Sequence, residues 1–528
     1  MIRENKLWRL AMKIHLQITM LLLLGLEVST KAQFTPQEAV KEMERGINIG
    51  NTMEPPTEGA WTNPPVKERA FDDYRNAGFT AIRIPITWDG HTAETSPYKI
   101  DSTWLARVDT VVSWGLRRGL IIMINAHHET WLKDALADSG VARQDSDLAR
   151  FDSIWSQIAT HFQNKSDSLI FEIINEPYPA PEAAVNALNV QILKIIRRTN
   201  PTRIVSFSGY MWSNSDQLVT AQIPDSSDKY LIGYYHSYDP ASFGLDGIGT
   251  YGSPSDLAAT KAKFDEVTTW SKKNNIPVIL DEFGYMDTCV YNSRMCAYGT
   301  VVDQALEHGV GAYAWDDGGD FPIYNRTNYS FNEIKDILIY VSPESPNGMK
   351  VIQNTSTTIT LSWHNRNLEA DSIIIERGVW KPDYEYYATV GPADSVFVDS
   401  AIGAASFYYR LSIIKKDFTE LQSYPIMITG VPTGVVERDA PSAFELFNNY
   451  PNPFNPSTEI SYQLPVKSIV SLKIYDALGR EVQTLTNRAE TAGLHSVVFN
   501  GQNLPSGVYF CRLVSGKFTA SKKLILIK

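Results

Sequence analysis

Two glutamates are the strongest candidates for chemistry in this chain. Glu176 closes the segment 171–176, Phe-Glu-Ile-Ile-Asn-Glu, and Glu282 closes the segment 279–282, Ile-Leu-Asp-Glu. Each follows a short apolar run typical of a buried strand, where a carboxylate is costly to desolvate without a partner or a task. Two carboxylates at corresponding strand ends could act as proton donor and nucleophile, the pair that cleavage of a glycosidic bond requires. The alternative is that either glutamate is an ion-paired residue at a strand end.

The elements that must position these glutamates form a repeating pattern. Short apolar runs recur from residue 46 to about residue 342, and stretches with helical periodicity separate them. Strands that alternate with helices form parallel sheets, and eight such units predict a closed (β/α)8 TIM barrel. A doubly wound open sheet is the alternative, but no glycine-rich phosphate loop follows the first strand. The predicted strands are 46–50, 80–86, 120–125, 169–175, 203–208, 231–236, 277–282 and 310–315, and predicted helices include 66–77, 103–118, 148–162, 183–199 and 254–274.

The pattern changes after residue 343, where short β-rich runs predict two small all-β sandwich domains. The first, residues 343–429, is called the middle region; Trp363 and the run Tyr408-Tyr409-Arg410 resemble a fibronectin type III domain. A linker at 430–443 leads to the C-terminal region, residues 444–528, which opens on an Asn- and Pro-rich segment at 447–458. This segment, with 475–480, 504–509 and the lysine-rich end, resembles a type IX secretion sorting domain. The resemblance implies the type IX machinery as a partner.

The N-terminus and the composition set the compartment and the class of partner. Residues 1–32 combine basic residues, a short apolar stretch and a small-residue end, which predicts a signal peptide and leaves 33–342 for the barrel. Translation could start at Met1 or Met12. The net charge of −11 argues against nucleic acid or an anionic membrane as partner. Of three cysteines, Cys289 and Cys296 could pair after export, and two free thiols are the alternative.

Catalytic groups of a parallel barrel lie at the C-terminal ends of its strands. Asp281 and Glu172 should face away from their functional neighbours by strand alternation and serve as ion-paired scaffold. The acidic cluster at 316–320 predicts a solvated turn, since its spacing fits no calcium loop. Aromatic residues that follow strand ends could line a cleft, namely Trp61, Trp88, Trp131, Tyr178, Trp212 and Phe321. The polar and aromatic residues at the strand ends are Asn48, Asn51, Arg83, Asn125, His127, His128, Asn175, Glu176, Ser208, His236, Tyr238, Asp281, Glu282 and Trp315.

This set resembles glycoside hydrolase family 5, the cellulase and β-mannanase family. The matching segments are 46–52, 82–88, 124–129, 175–177, 236–238, 281–284 and 314–315. The resemblance implies that Glu176 is the acid/base and Glu282 the nucleophile. Partial burial and the nearby second carboxylate would favour a protonated Glu176, while Arg83 and Tyr238 could donate hydrogen bonds or positive potential to an ionised Glu282. It implies supporting or sugar-binding roles for Asn48, Arg83, His127, Asn175, His236, Tyr238 and Trp315, whereas His128 is either a sugar contact or a buried structural partner. It further implies the carboxyl separation of about 5–5.5 Å that gives retention of configuration.

The expected function is that of a secreted endo-β-1,4-glycanase acting on a β-linked polysaccharide, with no cofactor and no metal. Segment 46–61 and the His-His-Glu stretch at 127–129 favour an endoglucanase. A β-mannanase or a xyloglucanase would use the same catalytic set and differ in its cleft loops. A non-catalytic carbohydrate-binding surface protein is an alternative of another class, but it would have lost a glutamate or Arg83, and both are present. The chain is expected to be a monomer at the cell surface or outside the cell.

Overall fold

The structure is a computed structural model that describes residues 34–527, with gaps at 138–140, 356, 368, 381, 401–404, 416, 418, 430–443, 448, 450–451, 465–467, 491–492 and 517. The predicted signal peptide, the predicted linker and part of the Asn- and Pro-rich segment lie outside these residues. Among the described helices, none has the length and hydropathy of a membrane span.

Eight parallel strands close into a barrel in the order of the chain, which confirms the predicted (β/α)8 fold. Side chains from alternate strand positions, such as Met123, Ile170, Tyr234 and Ile279, fill the lumen. The first helix adds Ala39 to this cluster and so closes the amino-terminal end of the barrel. The strands are β1 Arg45–Asn48, β2 Ala81–Ile84, β3 Ile121–Asn125, β4 Leu169–Glu172, β5 Val205–Phe207, β6 Leu231–Ser237, β7 Val278–Phe283 and β8 Gly311–Ala314.

The helices pack their apolar faces on the outside of the barrel and form the larger hydrophobic core with the outward-facing strand residues. Their ends follow local signals: the ninth helix starts at a capping box of Ser253 with Asp256, has Pro254 in its first turn, and ends at Asn275 in the left-handed conformation. The helices are α1 Pro36–Glu42, α2 Glu68–Ala77, α3 Ser102–Arg117, α4 Thr130–Ala137, α5 Val141–Phe162, α6 Glu182–Arg197, α7 Ser215–Thr220, α8 Ala241–Gly244, α9 Pro254–Asn274, α10 Tyr291–His308 and α11 Ile334–Tyr340.

The middle region consists of strands, and it packs on the barrel helices α10 and α11. Arg366 makes two hydrogen bonds to Asp303 of α10, and Arg410 donates to Asp336 of α11 at 2.8 Å. Two sheets, β11–β12–β15 and β14–β13–β16–β17 with β18 beside β16, share one hydrophobic core. The strands are β11 Asn347–Asn354, β12 Ile359–His364, β13 Ile373–Val379, β14 Glu385–Val390, β15 Val396–Asp399, β16 Ser406–Ile414, β17 Glu420–Gln422 and β18 Ile426–Thr429, after a hairpin of β9 Tyr324–Asn325 and β10 Ser330–Phe331.

The described residues fall into two compact units divided at about residue 431, and the second unit is also built of strands. Its sheets β19–β20–β23 and β22–β21–β24–β25 share one core. The strands are β19 Glu445–Leu446, β20 Ser457–Leu464, β21 Ser468–Asp476, β22 Glu481–Glu490, β23 Gly493–Asn500, β24 Gly507–Ser515 and β25 Phe518–Leu526. The exact domain boundaries and the fibronectin type III likeness of the middle region stay predictions.

The cysteines are free thiols, so the pairing of Cys289 with Cys296 is wrong and its alternative holds. The physical reason lies in their different surroundings. Cys289 is buried and donates to the Phe243 carbonyl at 3.0 Å. Cys296 lies on α10 and faces the hydroxyl of Tyr424 in the middle region at 3.6 Å. Each sulfur therefore points to a separate partner.

Candidate active site

Arg83 lies at the centre of the polar cluster inside the carboxyl end of the barrel. It projects from β2, is fully buried, and has an acceptor for each of its five N–H donors. Glu172 accepts from Nε at 2.6 Å and from Nη2 at 2.7 Å, which fixes the plane of the guanidinium. Nη1 reaches Glu282 and Nη2 reaches Asn175, at 2.9 and 2.7 Å. Arg83 thus orients Glu282 and Asn175, while Glu172 is the ion-paired scaffold that the sequence predicts.

Glu282, near the end of β7, receives hydrogen bonds on both carboxylate oxygens. The Tyr238 hydroxyl donates to Oε1 at 2.6 Å, and Arg83 donates to Oε2 at 2.9 Å. His236 Nδ1 lies 3.9 Å from Oε2. Burial raises the pKa of Glu282 above its usual value, although His236, Arg83 and Tyr238 oppose this shift. Donors on each oxygen hold the carboxylate in one orientation with its charge stabilised.

Asp281 does not face away from Glu282, so the predicted orientation is wrong, although Asp281 is ion-paired as predicted, 3.8 Å from Arg83 Nε. The pairing of β6 with β7 shifts register between Tyr235 and His236, and the pairing of β7 with β8 shifts between Leu280 and Phe283. Such an irregularity breaks the alternation of side chains along a strand. Asp281 Oδ1 consequently lies 3.2 Å from His236 Nε2. Burial, and then the charge of Glu172, raise the pKa of Asp281 to about 7.

Glu176 lies four residues beyond the end of β4, in a turn with φ of +37°. A residue with a side chain adopts this left-handed conformation only at a cost of about 1 kcal/mol or more, and such strain concentrates at functional sites. The Glu176 side chain is 27% exposed, and its Oε1 meets His236 Nδ1 at 2.9 Å. The turn therefore holds the carboxylate at the cleft surface, beside the buried imidazole.

The protonation of Glu176 and His236 is linked because the ring lies between two carboxylates. Burial favours the neutral ring, but Glu282 and Asp281 outweigh it and raise the pKa of His236 well above its usual value. Burial also acts to raise the pKa of Glu176, but the hydrogen bond and charge of His236 outweigh it and lower that pKa. The predicted reason for a protonated Glu176 is therefore wrong for the ligand-free protein. These two shifts favour a protonated His236 and an ionised Glu176 in the free protein.

Asn48 and Asn175 differ in whether their side-chain amides keep a hydrogen-bond donor available for a ligand. Asn48 is fully buried; its Nδ2 donates to the Asp281 carbonyl at 2.9 Å, and its Oδ1 accepts from Arg83 at 2.9 Å. The Asn48 amide thus accepts a hydrogen bond from Arg83 and helps to fix the position of its guanidinium. The Oδ1 of Asn175 accepts from Arg83, while its Nδ2 has no protein acceptor among the hydrogen bonds of the described residues. Asn175 can therefore offer an oriented N–H to a ligand.

His127, His128 and Trp315 form one wall of the cleft. The rings of His127 and Trp315 are parallel, with centroids 5.8 Å apart, and His128 meets His127 edge-on at 4.5 Å. Gly50 makes room for Trp315, because a Cβ at Gly50 would lie 2.7 Å from the indole. His128 is exposed to the cleft and lies 5.7 Å from Trp61. This favours the sugar-contact alternative for His128 over a buried structural role.

Exposed aromatic rings lie on opposite sides of the barrel mouth. Trp61 follows β1, whereas Tyr178 and Trp212 follow β4 and β5 and stack with centroids 4.3 Å apart. These three side chains are 43–46% exposed. In a closed barrel of eight strands, β1 and β5 are diametrically opposed, so the aromatic groups flank the polar cluster from both sides.

The other three predicted cleft aromatics have different surroundings. Trp88 is buried in the core, and Phe321 packs against Tyr238. Trp131 is half-buried, and its indole N–H donates to Glu129.

The sequence reasoning assigned no individual role to three buried charged residues, Lys133, Glu54 and Glu129. Lys133 lies on α4 and donates to the His127 carbonyl at 3.1 Å, and its charge helps to lower the pKa of Glu176. Burial raises the pKa of Glu54 and of Glu129 to about 7, against hydrogen bonds from nearby backbone N–H groups. No sequence signal identifies Lys133, since a lysine in a helix is ordinarily solvent-exposed. The position of Glu129 directly after the two histidines could have marked that residue.

Two groups among the described residues have the spacing of a metal site: Glu54 with His127 and His128, and Glu176 with His236 and Glu282. In the first group, Asn125 Nδ2 lies 3.0 Å from His127 Nδ1 and occupies that nitrogen. In the second group, Arg83 and Tyr238 donate hydrogen bonds to Glu282. Protein donors thus already engage Nδ1 of His127 and both carboxylate oxygens of Glu282.

The acidic turn after β8 is only partly as predicted. Asp316 is fully buried and forms an ion pair with Arg326 at 3.1 Å, so a solvated role is wrong for it. The Arg326 side chain also donates to the Asp316 carbonyl at 3.0 Å. The Asp317 carboxylate accepts from the backbone of Gly319 and Phe321 at 2.7 and 3.0 Å. Hydrogen bonds and an ion pair thus fix the conformation of the turn that directly follows Trp315.

The comparisons with known proteins agree with this geometry. Residues 40–320 match the family model "Cellulase (glycosyl hydrolase family 5)". Residues 448–528 match the "Secretion system C-terminal sorting domain", which indicates type IX secretion and an extracellular or cell-surface location. Endoglucanase H of Acetivibrio thermocellus is 43% identical over 304 residues, which cover 56% of this chain and 33% of that protein. A cellulase/esterase of the same organism is 31% identical, covering 55% and 38%.

This chain therefore spans about a third of the length of these two relatives. Among solved structures, an endoglucanase of Thermotoga maritima is 31% identical with a TM-score of 0.54, covering 58% of this chain and all of that one. A tri-modular endo-β-1,4-glucanase of Bacillus licheniformis is 24% identical with a TM-score of 0.64. The alignment covers 93% of this chain and 100% of that chain, and at this identity it supports the fold alone. The family model covers more than half of the sequence and includes every strand of the barrel. The chain belongs to the cellulase family, glycosyl hydrolase family 5.

Proposed function

We propose that this chain is a secreted endo-β-1,4-glucanase that hydrolyses its substrate with retention of configuration. One observation carries the proposal: a carboxylate oxygen of Glu176 and one of Glu282 lie within 4.8 Å of each other. Retaining glycosidases hold their two carboxyl groups about 5–5.5 Å apart, whereas inverting enzymes need about 6.5–9.5 Å to admit a water molecule. The short separation supports direct attack by one carboxylate.

In the first step, Glu282 attacks the anomeric carbon while Glu176 transfers a proton to the glycosidic oxygen. The bond from the anomeric carbon to the leaving oxygen breaks, and an ester bond to Glu282 forms. The proton reaches Glu176 from His236 across their 2.9 Å contact. Because Asp281 lies on the other side of the ring, it stabilises the charge of His236 until the transfer. Arg83 and Tyr238 keep Glu282 oriented for attack.

In the second step, water enters from the side that the leaving group has vacated. Glu176, now a carboxylate, takes a proton from the water while the water oxygen attacks the anomeric carbon and the ester bond to Glu282 breaks. The proton then returns from Glu176 to His236 across their contact, which restores the starting state. The positive charge that develops near the anomeric carbon is stabilised by the Glu282 carboxylate. The Nδ2 of Asn175 faces the site with its Oδ1 held by Arg83, as a contact to the sugar 2-hydroxyl requires.

Attack at internal bonds is supported by the aromatic groups on both sides of the polar cluster. Trp61 on one side and the stacked pair of Tyr178 and Trp212 on the other provide platforms for pyranose rings beyond the cleaved bond. Relatives and solved neighbours carry the name endoglucanase, which favours β-1,4-glucan as substrate. The T. maritima endoglucanase has also been solved with mannotriose, so a mannan is the second candidate. The sorting domain supports the type IX secretion machinery as partner.

The test is a reducing-sugar assay on carboxymethylcellulose, mixed-linkage β-glucan, xyloglucan and glucomannan, with Glu282→Gln as the inactive reference. We expect the highest kcat/KM on the two β-glucans, and a rapid fall in the viscosity of carboxymethylcellulose. Glu282→Gln should lose at least about 10³-fold in kcat, since it removes the nucleophile. Polymer binding without hydrolysis by the wild type would support the non-catalytic alternative instead, and a preference for glucomannan would transfer the assignment to a mannanase.

A further inference from the structure

The buried amide of Asn125 connects the floor of the site to the His127 ring. Asn125 is the last residue of β3 and is 1% exposed. Its Oδ1 accepts from the backbone N–H of Ile86 at 3.0 Å. Its Nδ2 lies 3.0 Å from Glu172 Oε1 and 3.0 Å from His127 Nδ1. These three contacts account for both ends of the amide.

Two of these contacts fix which end of the amide carries the hydrogens. The N–H of Ile86 can only donate, so the atom that faces it must be the amide oxygen. Glu172 is held by two hydrogen bonds from Arg83 as a carboxylate that can only accept, so the atom that faces it must be the amide nitrogen. An inverted amide would be mismatched at both contacts. One N–H of Asn125 is used by Glu172, and the other points at His127 Nδ1.

A nitrogen that accepts an N–H must carry a lone pair and no proton. We propose that Asn125 is a positioning residue that fixes His127 as the Nε2–H tautomer, so that this ring presents only a donor to the sugar. The inference rests on the proposed function for the identity of the ligand, but the tautomer itself does not depend on it. Glu172 thereby orients two groups of the site: the nucleophile through Arg83, and His127 through Asn125.

The surroundings of His127 also disfavour a doubly protonated ring. The ring is 3% exposed and lies between parallel Trp315 and the edge of His128. Burial is the main cause that lowers the pKa of His127 well below its usual value, and the positive charges of Arg83, Lys133 and His236 add to it. The carboxylate of Glu54, which faces the ring as well, does not reverse this shift. These surroundings favour the neutral ring of His127.

A fixed donor at this position selects what can bind beside it. A sugar hydroxyl must turn its oxygen lone pair toward Nε2–H and its own hydrogen elsewhere. A ligand with a donor but no acceptor there, such as an amino sugar with a protonated amine, would face an N–H with a cation and bind poorly. The rule applies to any glycan that enters the cleft, whichever β-linked polymer is the natural substrate.

The tautomer is measured directly on the wild-type chain labelled with 15N-histidine. The chain has nine histidines, and the His127 signals are those that disappear in His127→Gln. In a long-range 1H–15N correlation spectrum we expect an unprotonated Nδ1 and a protonated Nε2, unchanged from about pH 5 to pH 8, the range that spans the ordinary titration of histidine. A protonated Nδ1, or a ring that becomes doubly charged within this range, would overturn the inference.

Asn125→Asp tests the positioning role. The introduced oxygen would lie between Glu172 and His127 and would accept from Nδ1, so Nδ1 should become protonated. We expect kcat/KM on cellooligosaccharides to fall about tenfold or more, the effect of replacing a good hydrogen bond with a mismatch. Asn200→Asp is the control, because Asn200 is equally buried and donates to the Ala159 carbonyl at 2.7 Å, remote from the site. It should alter stability but neither the tautomer nor kcat/KM.

The outcomes separate the inference from the proposed function. An unchanged His127 tautomer in Asn125→Asp refutes the positioning role. Loss of activity to the same extent in Asn200→Asp would show that any buried charge suffices, and would also refute it. A wild-type chain that hydrolyses no β-glucan, yet holds His127 as the Nε2–H tautomer, would refute the proposed function and leave the tautomer assignment intact. If Asn125→Asp does not fold, the wild-type spectrum alone decides.

Discussion

The hydroxyl of Tyr238 offers a sharp test of how Glu282 is kept ionised. Tyr238 donates to Glu282 Oε1 at 2.6 Å, and this bond favours the carboxylate over the carboxylic acid. Tyr238→Phe removes this one donor and leaves the aromatic ring in place. Glu282 must be ionised to attack, so kcat/KM falls as pH drops through the pKa of Glu282. Removal of the donor raises that pKa, and the acidic limb of the pH profile should move to higher pH.

The size of the shift follows from the strength of the bond. A hydrogen bond to a charged group contributes about 1.5–3 kcal/mol. One pKa unit corresponds to about 1.4 kcal/mol, so the acidic limb should move up by about 1–2 pH units. Arg83 and His236 still face Glu282 in this variant, and their positive charges still favour the carboxylate, which limits the rise in the pKa of Glu282.

The assay is kcat/KM for an aryl β-cellobioside measured across pH for the wild type, Tyr238→Phe and Tyr235→Phe. Tyr235 is the matched control, because it lies on β6 three residues before Tyr238, and its buried hydroxyl has no hydrogen-bond partner among the described residues. Tyr235→Phe should leave the acidic limb in place. An acidic limb that stays fixed in Tyr238→Phe, or that moves to lower pH, would refute the account of Glu282.

Further variants test other parts of the site and the fold. Arg83→Lys loses at least two of the five hydrogen bonds of Arg83, so kcat should fall about 10²-fold or more and the free energy of unfolding by about 3 kcal/mol, measured by kinetics and urea titration. Trp212→Ala should raise KM for cellooligosaccharides about tenfold with little change in kcat, whereas the exposed Trp380 of the middle region should tolerate alanine; equal KM values would contradict the platform role. Gly299→Ala should cost about 1–3 kcal/mol of stability, because a Cβ there would lie 2.4 Å from the Tyr424 ring, and an unchanged unfolding midpoint would show that the contact is loose.

The sequence predicts the barrel well because its signals are local. Apolar runs alternate with stretches of helical periodicity, and some of the helices start at a capping residue, as at Ser253. The strand ends carry the polar residues that converge on Arg83. The two glutamates are therefore located from periodicity and position alone. The ends of strands are predicted less accurately: the apolar run predicts a strand through residue 175, whereas β4 ends at Glu172, because the chain turns there toward the strained Glu176.

What the sequence misses depends on long-range geometry. The register shifts on both sides of β7 turn Asp281 toward His236, and a rule of strict alternation cannot anticipate them. In the resulting carboxylate–imidazole–carboxylate row, His236 lowers the pKa of Glu176, which is opposite to the protonated Glu176 that the sequence predicts. The docking of the middle region is equally hidden, because Gly299 and Asp303 read as ordinary residues of α10 until Tyr424 and Arg366 are placed against them.

The stereochemistry of the first product tests the central claim, that Glu282 attacks the anomeric carbon directly while Glu176 acts as the acid/base. Hydrolysis of cellopentaose by the wild type is followed by proton NMR from the first seconds, before the sugar anomers equilibrate. The close approach of Glu176 and Glu282 predicts that the new reducing end appears first as the β anomer. An initial α anomer would require a water between the two carboxylates, and it would contradict the account.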